Sequence, residues 1–370
     1  MLSPKWSGSL VQPAKGLRVS VALCTFNGGR HLAQQLDSIA AQTALPYQLV
    51  VCDDCSTDDT VAIVKAFAGR VSFVVRVVVN REKLGSTKNF EHAIRLCEGD
   101  LIALSDQDDV WRPEKLERIV AVFSASPDVG AVFTDGEVVD DSLRPLGYRL
   151  WEAVGFDAAQ RQLVRDGRAL DVLLKGNVVT GATAVFRSDF RKLILPIPAD
   201  WMHDAWVALL ISAVADLAII PDPLIDYRQH GGQQIGATEM KRERETSVFE
   251  MVRTAVLDAL ADPRAYVGKW DHGFVAHADR YQMACDRLEE VFGSSVHHVL
   301  VRFQEKVRHL RARALMSSRP LSRFPMVVRE LLTLRYHRYS SGMKGAGLDL
   351  VRALLFWAAS PPPCPKGSVS

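Results

Sequence analysis

Between residues 18 and 135 the chain alternates short apolar runs with stretches whose apolar residues recur every three or four positions. Val19 to Cys24 is an almost unbroken apolar run, the pattern of a strand buried on both faces of a parallel sheet. His31 to Gln42 sets Leu32, Leu36, Ile39 and Ala40 on one helical face. Leu49 to Cys52 predicts a second strand. Ser56 followed by Asp59 has capping-box spacing and opens a helix over Val61, Ile63, Val64 and Phe67 that Gly69 closes. The alternation then predicts a strand over Val71 to Val79 and a helix over Ser86 to Cys97, with Phe90, Ile94 and Cys97 inward. A strand over Leu101 to Leu104 follows. Pro113 suits the first turn of the next helix, with Glu114 near its positive end, and Ala131 to Thr134 reads as a fifth strand.

Repeated βα units of this length imply parallel strands joined by right-handed crossovers. Strand C-termini then share one edge, outside which such sheets bind ligands. Asp53, Asp54, Asp106, Asp108, Asp109 and Asp135 all fall where strands are expected to end, more carboxylates than helix capping accounts for. Farther on, Ala182 to Phe186 predicts a strand, Asp204 to Ala215 a helix, and Leu217 to Ile220 with Leu224 to Tyr227 a strand pair broken by Pro221 and Pro223. From about Met240 the pattern is helical and increasingly basic. The expected division is an extension over 1–17, an α/β domain over 18–236, a helical basic region over 237–358 and a disordered tail over 359–370.

Composition changes this picture in one respect. The formal charge of the 370 residues is +2, yet residues 301–344 carry a net +9 and residues 1–300 a net −8. Arg302, Lys306, Arg308, Arg311, Arg313 and Arg335 interleave with Phe303, Leu310, Leu315, Phe324 and Leu331, a pattern with two readings. The segment either lies on an anionic membrane face, at about 1 kcal/mol per basic residue, or packs on the acidic body or a second copy as a homo-oligomer. No nucleic-acid-binding motif is present, so no nucleic-acid partner is expected. Met1 to Lys15 lacks a signal-peptide run, and no stretch approaches the ~20 apolar residues of a membrane span. The expectation is a cytoplasmic protein, peripheral at most at the inner membrane face. Six cysteines do not make a disulfide framework, and Cys52-x-x-Cys55, with one cysteine inside a strand, reads as chance.

The chemistry concentrates in four places. In Asp106-Gln107-Asp108, alternate residues of an extended chain share a face, and two convergent carboxylates call for a cation. Mg²⁺ takes one or two carboxylates and completes its shell with water and phosphate oxygens. Asp54, with Thr25 and Asn27 in the first loop, offers hydrogen bonds to a base or ribose, and Lys88 a positive charge near a diphosphate. Asp204 begins an apolar helix, whose dipole stabilises a carboxylate and suits a proton acceptor. Trp201 and Trp206 either stack on a sugar face or fill the core. After a strand, Tyr227-Arg228-Gln229-His230-Gly231-Gly232 reads as a closing loop. There His230 is a candidate third metal ligand, and Arg228 a phosphate partner or a structural ion pair.

Val19–Asn27, Val51–Asp58, Leu84–Asn89, Ser105–Trp111 and His203-Asp204 occur in the order found in family 2 glycosyltransferases. With Tyr227-Arg228-Gln229-His230, the chain resembles the bacterial rhamnosyltransferase-like branch over about residues 18–236. The resemblance implies a GT-A fold, a Rossmann-like, mostly parallel sheet flanked by helices, here with a helical C-terminal extension. It implies an inverting, metal-dependent transfer from a dTDP- or UDP-linked sugar to a glycan or lipid-linked oligosaccharide in cell-surface polysaccharide synthesis, with rhamnose and O-antigen as the branch's suggestion.

By motif position, Asp204 matches the catalytic base, Asp54 the base-contacting carboxylate, and Asp106 and Asp108 the D-x-D that holds Mg²⁺ or Mn²⁺. Thr25, Asn27, Lys88 and Gln107 join the nucleotide-sugar site, and Thr180, Gly181, Trp201, His203 and Trp206 the acceptor region. Two positions depart from the family pattern: His203 replaces the usual Glu before the base, and Lys88 stands where Arg is frequent, without its bidentate fork. Alternatives are a nucleotide-sugar sensor without catalysis and a metal phosphohydrolase. A dehydrogenase is disfavoured because no G-x-G-x-x-G follows the first strand.

Overall fold

The computed structural model describes residues 16–231, 248–315 and 323–359. Strands β1 (Val19–Thr25), β2 (Gln48–Asp53), β3 (Val74–Val79) and β4 (Leu101–Ser105) pair in parallel in the order β3-β2-β1-β4. β1, β2 and β4 are buried along their whole length, which is why their sequences are continuous apolar runs. Helices α1 (Leu32–Ala40), α2 (Thr60–Ala68) and α3 (Ser86–Leu96) are the crossovers. On one sheet face Leu32, Leu36 and Ile39 of α1 and Val64 and Phe67 of α2 form a core with Leu116, Ile119 and Phe123 of α4 (Lys115–Ala125). Across from them α3 packs on β1, β2 and the helix His203–Val214.

The second half of the sheet departs from the simple parallel reading. Between β5 (Val110–Trp111) and β6 (Val129–Val139) lies α4, and β7 (Pro145–Arg149) pairs with β6. Three short helices follow, α5 (Leu150–Val154), α6 (Ala158–Arg165) and α7 (Ala169–Leu173). β8 (Ala184–Arg187) then inserts antiparallel between β4 and β6, with Val185 opposite both Ala103 and Val132. After α8 (Arg191–Ile194) come α9 (His203–Val214) and β9 (Asp216–Arg228). The expected strand pair around Pro221 and Pro223 is this one 13-residue strand, parallel to β6. Proline cannot donate to the ladder, and the register slips on either side of Asp135 absorb the interruption. Asp135 therefore lies inside the 11-residue β6, not at a strand end.

The expected capping box of α2 is also replaced. Ser56 Oγ donates to Asp53 Oδ1 at 2.5 Å, while Asp58 Oδ1 accepts from Thr60 N–H at 3.1 Å at the helix start.

One network fixes where α9 begins. Thr87 Oγ1, in the first turn of α3, donates to the Trp201 carbonyl at 2.8 Å, and Lys88 Nζ to the Ile197 carbonyl at 2.5 Å. Glu91 accepts from Lys88 Nζ at 2.7 Å, Arg95 at 2.7 Å and Ile197 N–H at 2.9 Å. The segment that leads into α9 is thus tied to α3 by side-chain bonds.

The sheet belongs to a unit that also takes in Arg287–Val296; the second unit covers Glu245–Asp286 and His297–Ser370 and is helical where described. The expected boundary at 236 lies outside the described residues, as do all of 1–15 and 360–370. No described helix is long and apolar enough to cross a membrane.

Several basic residues of the 301–344 segment turn inward. Asp349 accepts from Arg313 Nε at 2.6 Å, Arg352 at 2.6 Å and the Tyr336 hydroxyl at 2.8 Å. Glu330 takes His309 at 2.9 Å and Arg335 at 3.1 Å, and Lys306 Nζ donates to the Tyr339 carbonyl at 2.6 Å. Arg308, Arg311, Arg329, Arg338 and Lys344 stay exposed.

Two outcomes follow for stability. Asp349→Asn leaves Arg313 and Arg352 buried without their carboxylate and is expected to cost about 3–5 kcal/mol, read as a lowered unfolding temperature. Burial pushes the Glu91 carboxyl up, but the bonds from Lys88, Arg95 and Ile197 N–H outweigh it and hold it below the usual value. Its contribution is therefore full above the ordinary glutamate range and is lost as pH falls through the depressed value. Glu91→Gln should lower stability by about 1–3 kcal/mol at pH 7, with the gap to the parent narrowing below about pH 4 in parallel melts.

Candidate active site

β4 ends at Ser105 and β5 begins at Val110, so residues 106–109 form the turn at the sheet's edge. Burial first, then the charges of Asp108 and Asp204, push the Asp106 carboxyl up to about 7. Three residues from two separate stretches of chain thereby share one electrostatic environment. Asp109 is fully buried: Oδ1 accepts from Arg228 N–H at 3.1 Å and Oδ2 has no partner among the described residues. Burial, with Asp108 and Asp106 beside it, drives its pKa well above the usual range. The same acids reach the buried Tyr227, whose hydroxyl is held protonated by burial and then by Asp109, Asp106, Asp108 and Asp204.

Two cations brace this edge. Arg228 is 1% exposed. Its guanidinium donates to the Asp108 carbonyl at 2.7 Å, the Asp141 carbonyl at 2.5 Å and Gln34 Oε1 at 2.6 Å. It thereby clamps the 106–109 turn to α1 and to the loop after β6, a structural task. Lys115, at the start of α4, is buried with Nζ 3.7 Å from the centre of the Trp111 ring and 2.7 Å from the Ala182 carbonyl. Burial lowers its pKa to about 7 against the pull of Asp109 and Asp106.

Asp204 stands in the first turn of α9. Its Oδ2 accepts from Gly181 N–H at 3.1 Å and its Oδ1 from Ala205 N–H at 2.6 Å. The close approach requires glycine at 181, where a Cβ would come within 2.8 Å of His203 Nε2. Ala182, next to Gly181, carries the carbonyl that Lys115 grips, so one short turn links the buried cation to the Asp204 carboxylate.

The remaining expected site residues divide by what holds them. Asp54 is buried; it accepts from Leu84 N–H at 2.7 Å, Gly85 N–H at 2.9 Å and Asn80 Nδ2 at 3.0 Å, fastening the loop before α3. Thr25 Oγ1 donates to Asp53 at 2.8 Å, and Asn27, at φ 48°, accepts from Thr57 N–H at 2.8 Å. Gln107 pairs with both backbone groups of Phe26, at 2.8 and 3.1 Å, and a Cβ at Gly28 would lie 2.2 Å from its Oε1. Lys88 faces Glu91 and Ile197, as described above. Trp201, His203 and Trp206 are buried: Trp206 Nε1 donates to the Ile194 carbonyl at 2.8 Å, and the His203 ring stacks on Phe90 at 3.8 Å. Thr180, half-buried, precedes the Gly181 turn.

His230 Nε2 lies 2.9 Å from Asp108 Oδ2, and its ring is 5.0 Å from that of His31. Burial, then Arg228 and His230, lower the His31 pKa and favour its neutral form. Sequence reasoning missed His31 and Lys115. Lys115 had a signal, since it stands four residues before the buried Ile119 on the inward stripe of α4. His31 follows the loop glycines and carries no pattern of its own.

The residues suit an ion of the Mg²⁺ or Mn²⁺ type in donor chemistry: Asp106 and Asp108 supply hard oxygens with their charges uncompensated by a neighbouring salt bridge to lysine or arginine among the described residues. No group of three or more His, Cys, Asp or Glu side chains forms a ready-made cage among the described residues, so most ligands of such an ion would come from substrate and water.

Residues 20–191 match the family model described as Glycosyl transferase family 2. An uncharacterized protein of Mycobacterium tuberculosis is 27% identical over 255 residues, 66% of this chain and 68% of its own length. An uncharacterized glycosyltransferase of Nostoc is 24% identical over 255 residues, covering 66% of this chain and 76% of its own. The crystal structure of S. aureus TarS 1-349 is similar in fold, with a TM-score of 0.50 at 16% identity over 80% of this chain and 90% of that one. The sheet described above is a GT-A-like fold, and residues 20–191 are the part of it that is similar to the glycosyl transferase family 2 model.

Proposed function

We propose that the chain transfers a sugar from a nucleoside-diphosphate donor to a glycan hydroxyl with inversion, using Asp204 as the general base. The observation that supports this reading is the convergence of Asp204 with Asp106 and Asp108, seen in the shift of the Asp106 carboxyl. That edge of the sheet is then acidic enough to need a cation, and Asp204, from a separate stretch of chain, offers a proton acceptor.

In this reading Asp204 is oriented by Gly181 and Ala205 N–H, which leaves lone pairs for an acceptor hydroxyl. Asp204 takes that proton as the oxygen attacks the anomeric carbon from the face opposite the leaving group; the C–O bond to the diphosphate breaks and the configuration inverts. Asp106 and Asp108 are the residues that would hold the divalent ion, which when bound offsets charge on the departing diphosphate. Arg228 keeps the 106–109 turn in register through the Asp108 carbonyl. Asp54, Thr25, Asn27 and Gln107 shape the floor of the nucleotide site through the loops they fasten. Rhamnose with a dTDP or UDP carrier, a lipid-linked or free glycan acceptor, and a role in polysaccharide assembly remain the branch's suggestion. The exposed Arg308, Arg311 and Arg329 are the residues through which a membrane face would be met.

Asp204→Asn keeps the size of the carboxylate and removes the base. Transfer measured with a panel of nucleotide sugars and glycan acceptors should fall roughly 10²–10⁴-fold, with nucleotide affinity unchanged. Unchanged transfer in this variant overturns the assignment. Release of inorganic phosphate without sugar transfer points to a phosphohydrolase instead.

A further inference from the structure

Away from the carboxylate edge, the same unit contains a cavity of about 650 Å³, within the range of small-molecule sites. It lies where β9 slips in register against β6, with Asp135 and Pro221 in its wall and residues of β7, α5 and α6 closing it. Arg149, Arg161 and Arg165 line it together with Asp135, Glu152 and Asp157. Arg161 and Arg165 make no ion pair among the described residues, and Arg149 donates to the Pro221 carbonyl at 3.5 Å. Arg161 also lies 5.7 Å from the centre of the Trp151 ring. Asp135 accepts Gly136 and Trp151 N–H, both at 2.9 Å and both on Oδ1, which leaves Oδ2 as an acceptor on the wall.

Three guanidiniums alone would suit a phosphate, but three carboxylates share the wall, and a multiply charged anion would meet both. A neutral polyol meets neither penalty. Each sugar hydroxyl both donates and accepts, so guanidinium N–H groups and carboxylate oxygens can be used at once, and planar forks of both kinds bind adjacent hydroxyls in pairs. We propose that this cavity binds an uncharged saccharide, as a subsite for units of the acceptor glycan beyond the one that is glycosylated. The proposal rests on the glycosyltransferase reading for its link to the acceptor. β6, which contributes Asp135, packs against α9, the helix that presents Asp204. The buried Trp201, His203 and Trp206 offer no such surface.

The test uses the full chain on a glycan array bearing neutral, uronate-containing and phosphorylated saccharides. In parallel, unfolding temperature is read with UDP, GDP and dTDP in the presence of Mn²⁺. Neutral glycans should be retained by the parent and by Asp204→Asn. Retention should fall at least tenfold in the Arg161→Ser, Arg165→Ser double variant, and likewise in Arg149→Ser, which alters the same wall from a different element. The shift caused by nucleotide should be the same in all of them. Retention that ignores these substitutions, retention confined to charged glycans, or no retention by a parent that still responds to nucleotide overturns the cavity proposal and leaves the transferase reading standing. A parent that holds neutral glycans through these arginines but responds to no nucleotide supports the saccharide site and removes the transferase reading.

Discussion

Asp106, Asp108, Asp109 and Asp204 crowd one edge of the sheet, and their mutual repulsion has to be carried by the structure around them. Two unit charges about 4 Å apart interact by about 4 kcal/mol at an effective dielectric of 20, so four carboxylates in a partly buried space cannot all stay charged unaided. The chain answers in different ways at each position. Asp109 sinks into the core with its pKa far above the usual range, and Arg228 N–H satisfies one of its oxygens. Asp108 meets His230. Asp204 is held by two backbone N–H groups in the first turn of a helix, where the dipole favours negative charge. Asp106 has the least support, and burial, then the charges of Asp108 and Asp204, push its carboxyl up to about 7. A site that binds a cation is one in which such repulsion is left for the ligand to relieve.

The buried cations work mainly through carbonyl oxygens. Arg228 bonds the carbonyls of Asp108 and Asp141, and Lys115 that of Ala182. A cation bonded to a carbonyl holds backbone in place while its charge still acts on the nearby acids. Lys115 joins the two halves of the site in this way: the turn whose carbonyl it grips is the turn whose N–H orients Asp204. The second unit uses a related device, but there Asp349 and Glu330 pair directly with arginine and histidine.

Much of the first half of the fold was legible because burial on both faces leaves an unmistakable trace. Val19 to Cys24 and Leu101 to Leu104 could hardly be anything but interior strands, and both are. The order of β8 and β6 was not legible, since an antiparallel strand inserted from 80 residues away leaves no local mark. Nor was the fate of individual polar residues. Ser56 looked like a helix cap and became a partner of Asp53; Gln107 looked like a ligand group and pairs with Phe26 backbone. Spacing specifies which element a residue occupies, whereas a polar side chain with several partners in reach is settled by tertiary geometry. The basic stretch after residue 300 shows the same limit. Lys306 and Arg313 sit on the inward face of their helix and Arg308 and Arg311 on the outward one, yet charge alone treats them as one surface.

Lys88 shows how a departure from a family pattern can be understood from its contacts. A guanidinium at this position would present a planar fork, suited to two oxygens of one phosphate. The ammonium of Lys88 is instead a point charge at the end of a flexible stem, and it reaches two oxygens on different elements, Glu91 Oε2 and the Ile197 carbonyl. Those contacts tie α3 to the segment that leads into α9, in parallel with Thr87 and the Trp201 carbonyl. His203, the other departure, lies at the far end of the same segment, its ring stacked on Phe90 of α3 and its pKa lowered chiefly by burial. A glutamate there would bring a second charge next to Asp204 and against the Phe90 ring; a neutral imidazole does not. Both departures therefore fall between α3 and the stretch from Ile197 to the start of α9, and neither adds negative charge beside Asp204.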